Sequence, residues 1–138
     1  MIIADTGFWV ALANENDKFY TIAVQKLSTI TESLITTWPV MTEVCHLLLK
    51  RQGVSAELSF MRSYQQGAFL IFDLNHQHVV IITQLMEKYA DLPMDLADAS
   101  LIVLAEYLGH GRILSTDQRD FHTYRWKHIH LFHNVLFA

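Results

Sequence analysis

A single cysteine, Cys45, excludes an internal disulfide and suits a reducing compartment. Two prolines and five scattered glycines leave no stretch that reads as a linker, so one domain spanning residues 1–138 is expected. Long apolar runs are missing as well. None approaches the ~18 residues that cross a bilayer, and no membrane segment is expected. The N-terminus lacks a basic region and enters strand-like residues at once, unlike a signal peptide, so a cytoplasmic location is expected. Positive charge is scarce: 10 Lys and Arg against 14 Asp and Glu give a net charge of −4. That speaks against a nucleic-acid binder held by a broad basic face. Charged residues of both signs make up only 17%, below the roughly 25% of an average soluble chain. In their stead the chain is 51% hydrophobic and 12% aromatic, which argues against disorder and for a sizeable core. The excess predicts an apolar patch covered by a partner or by a second copy, and a homodimer is expected.

Apolar periodicity alternates between two kinds of element. Residues 1–5 read as a buried strand, with Thr6 capping a helix through Leu12. The polar turn Asn14-Glu15-Asn16-Asp17 precedes a helix from about Phe19 to Thr29, and Leu34-Ile35-Thr36 is a short strand. Trp38-Pro39 opens a helix in which Val40, Val44, Leu47 and Leu48 keep helical spacing. Gly53 closes it, and Ser55 caps another helix running to about Gln66. Phe69–Phe72 is a strand, Asn75 caps a helix over Gln77–Tyr89, and Leu92-Pro93 breaks the chain before a long helix through Leu108. Ile113-Leu114-Ser115 and Ile129–Phe132 are the last two strands. Strands alternating with helices predict an α/β domain of three layers, a mostly parallel sheet with helices on both faces. Ligands of such folds bind beyond the carboxyl ends of the strands, where strand order reverses.

Four carboxylates fall at such boundaries. Asp5 ends the run Met1-Ile2-Ile3-Ala4, and Asp117 ends Ile113-Leu114-Ser115-Thr116. Glu43 and Asp98 lie early in helical stretches, with Asp95 one turn before Asp98. Each alone has an ordinary explanation: N-terminal acids favour the helix dipole, and Asp is a turn and cap residue. Together at one sheet edge they repel, at roughly 4 kcal/mol for a pair ~4 Å apart with an effective dielectric near 20. A divalent cation relieves this, and an all-oxygen donor set suits Mg²⁺ or Mn²⁺. Phosphodiester chemistry is the expectation. No Ser or Cys nucleophile arrangement stands out, so the nucleophile is expected to be water, activated by one ion, with a second assisting the leaving oxygen. Thr6 and Thr116, beside two of the acids, are auxiliary candidates for holding water or a phosphate oxygen.

The segments Ile2-Ile3-Ala4-Asp5-Thr6-Gly7-Phe8-Trp9-Val10-Ala11-Leu12, Thr42-Glu43-Val44, Ala97-Asp98-Ala99-Ser100-Leu101 and Ile113-Leu114-Ser115-Thr116-Asp117-Gln118-Arg119-Asp120-Phe121 resemble, in that order, the motifs of PIN domains. The chain is similar to small bacterial PIN proteins, including VapC-type toxins, over residues 1 to about 125. The resemblance implies a metal-dependent ribonuclease with Asp5, Glu43, Asp98 and Asp117 as catalytic and metal-binding acids around one or two Mg²⁺ or Mn²⁺ ions. It implies an RNA substrate, a small antitoxin protein as partner, and Asp95 as an auxiliary acid. Asp120 matches an Asp-Phe pair of the family and is given a structural part, capping or pairing with Arg119 or Arg125. Family members often carry His after the first helix's Asp, whereas Asp17 is followed here by Lys18-Phe19-Tyr20.

Arg119, Arg125 and Lys127 are candidates for contact with the RNA backbone, and Trp126 between the last two is a candidate for base stacking. The eight histidines include His128 and His130, two apart on one predicted strand face, but no cysteine partners them for zinc. Gly109-His110-Gly111 lacks the Lys-Ser/Thr of a phosphate loop. Two other classes compete with the nuclease: a non-catalytic PIN-fold protein binding RNA or a protein partner, and a phospho-acceptor signalling domain. The first has no need to retain all four acids. The second should pair acids after its first strand and place Lys after a late one, where Asp5 stands alone and His133-Asn134 follow.

Overall fold

Short apolar strands separated by helices build a single five-stranded sheet in the computed structural model, which describes residues 1–138. The strands are β1 (Ile2–Ala4), β2 (Leu34–Thr37), β3 (Leu70–Phe72), β4 (Arg112–Leu114), and, after a hairpin of β5 (Arg125–Trp126) and β6 (His130–Leu131), β7 (His133–Asn134). Their order is β3-β2-β1-β4-β7, and every ladder is parallel. Ile3 lies opposite both Ile35 and Ile113, which fixes β1 at the centre. β1 and β2 have no exposed residue, as a parallel sheet covered on both faces requires. The covering helices are α1 (Thr6–Leu12), α2 (Tyr20–Thr29), α3 (Trp38–Gln52), α4 (Val54–Gln65), α5 (Val79–Lys88), α6 (Leu96–Leu108) and α7 (Gln118–Thr123). The three-layer α/β architecture is therefore the one expected.

From β1 the chain steps outward through β2 and β3, then returns across the sheet to β4 on the other side of β1. Strand order reverses there, so the crevice between β1 and β4 opens at their carboxyl ends. The returning connection is α6, apolar nearly all round and buried from Ala99 through Ala105, the signature of an interior helix. Its first turn is thereby anchored against the sheet's carboxyl edge.

Three local expectations change. Asp5, not Thr6, caps α1: its Oδ1 accepts from the Thr6 N–H at 2.7 Å. Gly53, not Ser55, is the boundary residue of α4. Its φ of +93° turns the chain between α3 and α4 in a region open to glycine. The last sheet strand is His133–Asn134, not Ile129–Phe132. Ile129 and Leu131 stay in solvent, 74% and 65% exposed, on the antiparallel β5–β6 hairpin. The edge position goes to the polar pair because Asn134 bonds through its side chain to Ser115: its Nδ2 donates to the Ser115 carbonyl at 2.7 Å, and its Oδ1 accepts from the Ser115 N–H at 3.2 Å.

Candidate active site

Each of the four acids enters the crevice from a different element. Asp5 leaves β1 directly, and Asp117 follows β4 and caps α7, its Oδ1 accepting from the Asp120 N–H at 3.0 Å. Glu43 projects from the second turn of α3. Asp98 projects from the first turn of α6, whose cap is Asp95, with Oδ1 accepting from the Asp98 N–H at 2.8 Å. All four line one cleft of about 720 Å³, together with Asp95, Thr6 and Thr116. Capping and convergence thus coexist. Asp5, Asp95 and Asp117 each spend one oxygen on a helix start, and the positive ends of three helices face the same space.

The electrostatics are those of like charges crowded in low dielectric. Burial pushes the Asp5 carboxyl up to about 7, with Glu43 and Asp117 adding repulsion; bonds from the Thr6 N–H and the Ser115 hydroxyl oppose the rise. Burial, then the neighbouring Asp95 and Asp5, push Asp98 up to about 8, against a bond from the Tyr124 hydroxyl. Glu43 is raised by burial and by Asp95, and Asp117 by burial and by Asp120. Glu43 lies near enough to Thr6 to feel its hydroxyl, yet no hydrogen bond closes: Thr6 Oγ1 is buried with no partner in the protein.

Beneath the acids lies a set of polar contacts made by Ser115 and Tyr124, neither of them a candidate site residue from the sequence. Ser115 Oγ donates to Asp5 Oδ2 at 2.9 Å and accepts from the Asp117 N–H at 3.0 Å, joining the two acids that flank the β1–β4 crevice. Tyr124, fully buried against Phe121 and Tyr89, donates to Asp98 Oδ2 at 3.1 Å. Ser115 had a signal in its position two before Asp117, the spacing of a Ser/Thr turn. Tyr124, 26 positions from Asp98, had none. Asp17 Oδ1 accepts from the Phe19 N–H at 2.8 Å, so the α1–α2 turn is closed without the histidine common in the resembled family.

The cationic candidates divide. Arg119 lines the cleft and pairs with Asp120 at 3.4 Å, the structural partner expected for that acid. Arg125 and Lys127 do not reach the cleft. The Arg125 guanidinium folds back to donate to the carbonyls of His122, Thr123 and Tyr124, and Lys127 stands in the hairpin turn, its N–H donating to Glu106. Trp126 is similarly engaged, its Nε1 donating to the Leu131 carbonyl and its ring resting on His130. Two cations that sequence reasoning passed over, Lys18 and Arg51, line the cleft instead. Arg51 follows Glu43 by eight on one helix, a spacing that could have found it.

The family model described as PIN domain matches residues 2–127, nearly the whole of this arrangement. The chain belongs to the PIN-domain family. Ribonuclease VapC26 of Mycobacterium tuberculosis is 26% identical to it over 124 residues, 90% of this chain and 92% of that protein. The crystal structure of VapC20 of Mycobacterium tuberculosis, a toxin that cleaves the sarcin–ricin loop, matches with a TM-score of 0.78 at 18% identity. The match covers 86% of this chain and 92% of that one, and it shows the shared fold.

The residues of this PIN domain suit a hydrated divalent ion. No three acidic, histidine or cysteine side chains stand close enough to share one ion directly. Mg²⁺, however, keeps several of its waters and is commonly held through only one or two carboxylates. The donors offered are oxygens alone, mutual repulsion awaits a positive charge, and the orphaned Thr6 Oγ1 awaits an oxygen ligand. The cleft wall is also tightly fitted. A Cβ on Gly7 would lie 1.8 Å from Thr116 Oγ1 and 3.0 Å from Thr116 Cβ. Gly7→Ala is therefore expected to displace Thr116 and destabilise the fold by roughly 1–3 kcal/mol, the usual cost of overpacking. Urea denaturation measures it, and an unchanged midpoint would show that the β4–α7 turn yields freely.

Proposed function

We propose that this PIN domain is an endoribonuclease dependent on Mg²⁺ or Mn²⁺, and the toxin of a toxin–antitoxin pair. The observation that carries the reading is the meeting of Asp5, Glu43, Asp98 and Asp117, from four separate elements, in one cleft at the strand-order reversal. Its likeness to a protein named as a VapC ribonuclease supports the choice of RNA over other phosphodiesters.

A bound divalent cation supplies a Lewis acid that acidifies the attacking water and offsets phosphate charge. The chain's own residues do the rest. Asp5 is immobilised by two donated bonds, so its orientation is set before any ligand arrives. Asp98, with Oδ2 tied to Tyr124, turns its other oxygen free. In the ion-free cleft at neutral pH it holds a proton, which spares the site one negative charge. Glu43, beside Thr6 and Asp95 in the cleft, is placed to offer an oxygen to the ion or to take a proton of the attacking water. Thr6 Oγ1 is free to donate to a phosphate oxygen.

A homodimer and a small antitoxin protein belong to the same proposal. Their support is the apolar surface of α5, where Val79, Val80 and Ile81 are exposed, and of Leu96 at the start of α6. No helix is long and apolar enough to cross a membrane.

The test is cleavage of a short single-stranded RNA with and without EDTA. Activity should require Mg²⁺ or Mn²⁺ and vanish on chelation. Ion at ~100 times its dissociation constant should stabilise the fold by roughly 2.7 kcal/mol. Cleavage in EDTA would remove the mechanism, and RNA binding without turnover would favour a non-catalytic member of the fold.

A further inference from the structure

Lys18 and Arg51 are cations in a cleft dominated by carboxylates, yet neither forms an ion pair. Arg112 and Arg119, by contrast, are both paired with acids. The Lys18 ammonium lies 4.9 Å from the centre of the Phe19 ring, in a turn closed by Asp17, so it is held at the rim. On α3, Glu43, Leu47 and Arg51 succeed one another at intervals of four and all face the cleft. The helix thus carries a line from the acids outward to a guanidinium about 12 Å along its axis. Sheet order gives this line a direction. α3 follows β2 on one side of β1, while Arg119 belongs to α7, which follows β4 on the other. Cations therefore flank the acids on both sides, with Leu47 the apolar step between Glu43 and Arg51.

We infer that Lys18 and Arg51, which line the same cleft as the acids, form a subsite for the phosphate backbone of single-stranded RNA beside the bond that is cut. The inference rests on the nuclease reading for its substrate. The subsite attracts a polyanion into a cleft whose own charge repels it, and it sets which strand direction crosses the acids. Because it reads phosphate and not base edges, its effect is uniform across sequences.

Lys18→Ala, Arg51→Ala and the double variant test it, each alone and combined with Asp98→Asn to prevent turnover. Binding of fluorescent single-stranded RNAs of several sequences is followed against salt by anisotropy. Each cation removed should weaken binding about tenfold for every sequence and reduce the slope of log K against log salt by about 0.7. In the cleaving protein KM should rise with kcat within about twofold, and the Mn²⁺ affinity read from thermal stabilisation should not change. An RNA shortened at the end nearest Arg51 should no longer distinguish wild type from Arg51→Ala. Cleavage that proceeds with unchanged KM in the double variant overturns the subsite and leaves the nuclease reading intact. Salt-dependent binding that needs both cations, in a wild-type protein that cuts no RNA, upholds the subsite and sinks the nuclease.

Discussion

Asp98→Asn should lower RNA cleavage by ~10³-fold or more, yet leave the ion-free protein more stable than wild type at pH 9. The two effects share one cause. Asp98 is pushed up to about 8 by burial and by the acids around it, so above that pH the folded protein carries a charge it resists. The amide removes the charge and keeps an oxygen for the Tyr124 hydroxyl to bond. At pH 5 wild-type Asp98 is already protonated, so the variant should gain little there. That pH-selective gain separates relief of repulsion from a general packing effect. Asp98→Ala is the contrasting change: it strands the buried Tyr124 hydroxyl, at about 1–3 kcal/mol, and should destabilise at both pH values. Full activity in Asp98→Asn, or loss of its fold at pH 5, would remove Asp98 from the chemistry.

The second large effect lies in the pH dependence of stability without metal. Asp5 titrates near 3.8 when exposed and at about 7 in the fold, and Asp98 moves from 3.8 to about 8. For both, the folded state binds the proton more tightly than the unfolded chain. Their stabilisation is complete below pH 3.8 and is lost as pH rises through 7 and 8. The ion-free protein should therefore weaken between pH 5 and pH 9. A tenfold change in proton affinity is worth about 1.4 kcal/mol, so across the interval from pH 5 to about 7 Asp5 alone accounts for roughly 3 kcal/mol. Glu32, held at about 2 by Arg112, and His110, pushed down by burial and by Arg112, have the opposite sign, but their windows close near pH 4.5 and 6.5, so the decline above pH 6.5 stands clear of both. Saturating Mn²⁺ should abolish the decline, because the ion takes the place of the protons. Urea midpoints at pH 5, 7 and 9, with and without Mn²⁺, measure it. A protein that gains stability toward pH 9 without metal would show that the acids are not crowded.

Much of this was legible because strands and acids share boundaries. Asp5 and Asp117 end apolar runs, so a parallel sheet brings them to one edge whatever the details of packing. Asp98 and Glu43 follow from helical phase. The parts that stayed hidden depend on tertiary contact. Tyr124 meets Asp98 only because the chain leaving α7 runs back against α6 through β5, and no local pattern encodes that return. Arg125 and Lys127 looked like RNA contacts from charge alone, but Arg125 is spent on the end of α7 and Lys127 on a hairpin turn at a φ of +48°. The last sheet strand was misread because Ile129 and Leu131 carry the apolar alternation, whereas the edge was won by the side chain of Asn134.

That asparagine has a temporal consequence. It grips the backbone of Ser115, and Ser115 in turn aligns Asp5. A ribosome still short of codon 134 holds a chain with every acid already made and the clasp that orders them unmade. The clasp therefore closes only when the last strand of the sheet docks beside β4.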